Sequence, residues 1–69
     1  MLIKDNPVIK AKKILKMFNE HRAQPGSFGY GVAKEYAVRG VNLLISELPE
    51  EEVEKRIWYR VVIQEIQNL

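Results

Sequence analysis

The chain contains no cysteine and no threonine, and only one histidine, His21, and one tryptophan, Trp58. Each shortage removes a class of chemistry. Without cysteine there is no disulfide, no thiolate nucleophile and no thiolate metal ligand, and a single histidine does not complete a zinc site. Nucleophilic catalysis needs a hydroxyl or thiol beside a base, and here only Ser27, Ser46 and His21 are on offer. His21, among polar neighbours, reads as a helix-end residue. Acid–base chemistry needs carboxylates shielded from water, yet Glu50, Glu51, Glu52 and Glu54 crowd one segment and Glu65 has no obvious second acid. The expectation is a protein that is not an enzyme, with no metal, no cofactor and no small-molecule substrate.

Long apolar runs are missing too. No stretch approaches the roughly 18 residues of a membrane span, and the opening MLIKDNP is too short for the apolar centre of a secretion signal. A cytoplasmic location is expected, in keeping with the lack of cysteine.

What is present is 69 residues, 46% of them hydrophobic. Residues 1–69 read as a single small helical domain. A chain this short hides only about 60% of its unfolded surface and usually gains stability from disulfides, a metal or association. Association is the route left open. Charge is uneven: residues 1–24 hold six bases against two acids, and residues 25–69 hold five against seven. The basic character belongs to the first third.

The fold class expected is all-α, with three helices over about residues 7–22, 28–48 and 49–68. Asn6 is a favoured cap and Pro7 suits a first helical position. Val8, Ala11, Ile14, Leu15 and Phe18 then share a stripe opposite Lys10, Lys12, Lys13 and Lys16. In the second helix, apolar residues from Val32 to Leu48 cover most of the circumference, which marks a central element. Ala33, Ala37 and Gly40 make a small-residue ridge suited to close packing. Leu48-Pro49 is a break, after which three glutamates suit the start of a third helix. Val53, Ile57, Trp58, Val61, Val62, Ile66 and Leu69 form that helix's main face, widened by Tyr59 and Ile63.

The stretch PGSFGYG, residues 25–31, holds three of the four glycines. Gly26 and Gly31 have the spacing of a phosphate-binding loop. That motif next requires Lys and then Ser or Thr, and Val32 and Ala33 stand there instead. The stretch reads as a connector capped by Ser27, in which glycine supplies positive φ while Phe28 and Tyr30 pack onto the bundle. An anion held at the helix start beside Lys34 is the remaining functional option.

The segment VAKEYAVRGVNLLISEL resembles the start of a helix-turn-helix motif. Ala33 and Ala37 match its small positions, Tyr36 and Val38 its apolar ones, and Leu43 falls in the recognition helix. The resemblance covers about a quarter of the chain and implies Arg39, Asn42 and Glu47 as base readers. It departs in its second half, where Leu44 and Ile45 occupy groove-facing positions and Ser46 a buried one. A continuous helix explains the same residues better.

Two helices thus carry more apolar surface than one copy has partners for, and exposed apolar patches mark interfaces. The expectation is a homodimer in which the second and third helices form a helical hairpin and pack against their symmetry mates. Leu44, Trp58, Tyr59, Val62, Ile63 and Ile66 are the candidate contacts. The candidate partner-binding surface is Lys10, Lys12, Lys13, Lys16 and Arg22, with Lys4 extending it. Such a face suits an acidic protein surface or nucleic acid; it also serves simply to keep an apolar protein in solution. The function expected is a regulatory or interaction module, with nucleic-acid binding as the alternative.

Overall fold

In a computed structural model of the protein, residues 6–20 and 22–69 are described. They form three helices that pack on one another, and no strand occurs among the described residues. The readings made on Lys4 and His21 lie outside the described residues.

Helix α1 spans Pro7–Phe18. Its start is the one expected: Asn6 Oδ1 accepts the Val8 N–H at 2.8 Å and Pro7 occupies the first position. Its end comes earlier than residue 22. Asn19 is the C-cap, with its N–H still donating to the Leu15 carbonyl at 2.9 Å. The Asn19 side chain then grips Ala23 twice: Nδ2 donates to the Ala23 carbonyl at 3.0 Å, and the Ala23 N–H donates to Oδ1 at 2.9 Å. These bonds replace the next helical turn. Within the closed turn Arg22 is left-handed, at φ 52°.

Helix α2 spans Phe28–Glu47. Ser27 caps it by accepting the Tyr30 N–H at 3.2 Å. Gly26 precedes it at φ 90°, a conformation for which glycine is suited. The helix runs unbroken through Gly40, so the turn of a helix-turn-helix is absent and Arg39, Asn42 and Glu47 sit on one continuous rod. Leu48, extended at ψ 140°, ends it before Pro49.

Helix α3 spans Val53–Asn68 and not from residue 49. Pro49 opens a turn instead, closed by the Glu52 N–H donating to the Pro49 carbonyl at 3.1 Å. Arg56 Nη2 fastens this turn through the Leu48 carbonyl at 2.6 Å. Only Glu54 of the four glutamates therefore lies in the helix's first turn.

The core joins Ala11, Ile14 and Leu15 of α1 with Ala33, Ala37, Val41 and Ile45 of α2 and Val62 and Ile66 of α3. The α2 residues recur every fourth position, so one strip of that helix faces inward and Tyr36 and Leu43 face out. The small-residue ridge lets α1 come close. A Cβ on Gly40 would lie 3.2 Å from the Phe18 ring. Phe28 does not pack onto the bundle; it is 88% exposed, while Tyr30 packs against the core. Among the described residues, no helix is long and apolar enough to cross a membrane.

Candidate functional site

Lys12 and Lys16 stand four residues apart, which aligns them on one edge of α1. Arg22 reaches the same edge by a different route. It lies on no helix, and the Asn19–Ala23 turn carries it back alongside the end of α1. The three cations rim a cleft of about 400 Å³ whose other walls are Leu15, Asn19, Ala23, Tyr30 and Leu69. The cleft is lined by residues far apart in sequence: the Tyr30 hydroxyl donates to the Leu69 carbonyl at 3.3 Å, tying the start of α2 to the end of α3. Lys34, named above beside an anion at the helix start, donates to the Gln67 carbonyl at 2.9 Å and reinforces the same junction.

The rim is electrostatically open. The ion pairs among the described residues are Arg39–Glu35 at 2.8 Å and Lys55–Glu52 at 3.9 Å, and neither involves Lys12, Lys16 or Arg22. Three like charges on one cleft, none of them in an ion pair among the described residues, repel one another and attract an anion. Lysine stems also contribute apolar wall while their ammonium heads remain in water. Oppositely placed are Glu47, Glu50, Glu51 and Glu54, exposed around the α2–α3 turn.

The remaining basic residues are arranged differently from a uniform face. Lys13 is exposed on α1 outside the cleft, and Lys10 is half-buried one turn earlier. Ile9 and Met17 project among the lysines, 54% and 72% exposed. Reading the lysines as one polar side overlooked these two, although the helical spacing of Ile9, Lys13 and Met17 was there to be seen. Tyr30 and Leu69 were also missed as wall residues. No local pattern signals a contact spanning 39 positions.

The candidate self-contact residues divide. Val62 and Ile66 are fully enclosed in the chain's own core and have no surface left for a second copy. The reason is positional: at one helical turn apart, they lie on the line where α3 meets the other two helices. Trp58, Tyr59 and Ile63 are half-buried against that core, and the Trp58 and Tyr59 rings meet edge to face at 5.1 Å. Leu44 remains 44% exposed. The apolar surface that α3 presents outward is instead the row Val53, Ile57 and Val61, spaced four residues apart.

No group of three or more histidine, aspartate or glutamate side chains able to hold a metal occurs among the described residues. No protein-family model, no curated protein and no solved structure matches the chain.

Proposed function

We propose that the protein is a non-enzymatic helical interaction module that binds an acidic protein partner through the cationic edge of α1. One observation carries this reading: Lys12, Lys16 and Arg22, drawn from a helix and a separate turn, converge on one cleft with no ion-pair partner among the described residues. A lysine face that only kept the protein in solution would need no such convergence. The Asn19 clamp adds weight, because it holds Arg22 in a left-handed conformation that L-residues adopt at a cost of about 1–2 kcal/mol.

Self-association belongs to the same reading. The row Val53, Ile57 and Val61, together with Leu43 and Leu44 on α2, leaves large aliphatic groups in water. Apolar surface of this kind is what protein interfaces cover, and two-fold pairing is the commonest arrangement.

Titration with poly-glutamate and with duplex DNA, each at low and moderate salt, tests the partner class. The proposal expects salt-sensitive binding of poly-glutamate that weakens when Lys12, Lys16 and Arg22 lose their charge. Tighter binding of DNA than of poly-glutamate would transfer the assignment to phosphate recognition.

A further inference from the structure

The cleft is more than a place where charge accumulates, because its floor is apolar. Ala23 and Leu69, both half-buried, contribute aliphatic surface over the buried Leu15, and the one polar group of Tyr30 is already engaged with the Leu69 carbonyl. The cations are exposed, and Asn19 is the other polar side chain of the lining. A purely charged ligand would satisfy the rim and leave the floor in water. A purely apolar ligand would fill the floor and leave three ammonium and guanidinium groups unanswered.

We infer that the cleft is a seat for a linear acidic peptide segment, with one aliphatic side chain inserted onto Ala23 and Leu69 and flanking carboxylates on Lys12, Lys16 and Arg22. This rests on the reading of α1 as the surface for an acidic protein and specifies what part of that protein it grips. The volume, about 400 Å³, admits one large side chain with its neighbours and falls in the lower range of ligand sites. Nucleic acid fits less well. Sequence-tolerant nucleic-acid binding uses open aromatic faces for base stacking, and the one aromatic wall here, Tyr30, is packed against the core.

Fluorescence anisotropy with two labelled dodecapeptides separates the parts of the claim. Both consist of glutamate and aspartate; one has a central leucine and the other a central serine. The leucine peptide should bind about tenfold more tightly, since partial burial of a leucine is worth roughly 1.5 kcal/mol. The triple variant Lys12→Gln, Lys16→Gln, Arg22→Gly should weaken the leucine peptide about tenfold, roughly twofold for each of three exposed pairs. Lys13→Gln, outside the cleft, should change it less than about twofold on the same scale. The substituted residues are all exposed, and an unchanged helical circular dichroism spectrum verifies folding. As a second readout, amide resonances of Ala23, Tyr30 and Leu69 should shift on titration with the leucine peptide.

Equal affinity for the two peptides would overturn the inference while leaving charge-driven binding by α1 intact. A Lys13→Gln effect as large as that of the triple variant would do the same. Failure of both peptides to bind would overturn both the inference and the proposed function. Displacement of the leucine peptide by decanoate at equal concentration would reassign the cleft to small anionic amphiphiles.

Discussion

Arg22 concentrates the tension in this protein into one residue. Its left-handed backbone is unfavourable for a side chain bearing a Cβ, and glycine relieves that cost. Glycine also brings extra freedom to the unfolded chain, worth roughly 0.5–1 kcal/mol in the opposite sense. The relief is the larger of the two. Arg22→Gly should therefore stabilise the fold by about 0.5 kcal/mol, raising Tm by a few degrees for a domain of this size. The same substitution should weaken acidic-peptide binding. Thermal denaturation beside a binding titration reads both signs, and a fall in Tm would show that the arginine side chain supports the turn. Asn19 is the complementary case. Asn19→Ala removes both bonds to Ala23 and should cost about 1–2 kcal/mol at half-buried groups.

At the scale of the helix, most boundaries were legible, and the end of α1 and the start of α3 were not. Asn6 and Ser27 cap α1 and α2 through side-chain oxygens aimed at free backbone N–H groups, chemistry that is local and visible in the order of residues. The end of α1 depends on a side chain reaching four positions forward to Ala23, in competition with a helix that the apolar spacing would have continued. Asn19 was the available signal. The start of α3 shifted for a similar reason, since Arg56 reaches back eight positions to the Leu48 carbonyl. Gly40 poses a quantitative question on α2. Alanine there gains about 1 kcal/mol of helix propensity but crowds the Phe18 ring, which a Cβ would approach to 3.2 Å. Phe18 is 41% exposed at the end of its helix and has room to swing. Gly40→Ala should thus stabilise the protein by about 0.5 kcal/mol in urea denaturation, less than the full propensity gain. A loss of stability would show that the ring is held in place.

At the scale of the whole molecule, the three-helix class followed from periodicity, whereas the division of each apolar face did not. The stripe of α3 runs continuously from Val53 to Leu69 in sequence, yet only Val62 and Ile66 are fully enclosed while Val53, Ile57 and Val61 face outward. Which side of a wide stripe turns inward depends on how three rods cross, and that geometry has no local signature. The cleft is illegible for the same reason, since it joins the end of α1, the start of α2 and the end of α3. The division predicts opposite behaviour for neighbouring residues. Val62→Ala should destabilise the fold by about 1–2 kcal/mol through a cavity, whereas Ile57→Lys should leave helicity within error. Sedimentation should show Ile57→Lys shifting self-association toward the monomer at concentrations where the unaltered chain is dimeric. Monomeric behaviour of the unaltered chain at high micromolar concentration would remove self-association from the account.

The most direct test of the central claim is the chemical-shift map of the isotopically labelled protein titrated with poly-glutamate at low salt. The account predicts perturbations concentrated at Lys12, Lys16 and Arg22, reversed by added salt. Perturbations spread evenly over Lys10, Lys13, Lys34 and Arg60, or centred on Val53, Ile57 and Val61, would contradict it.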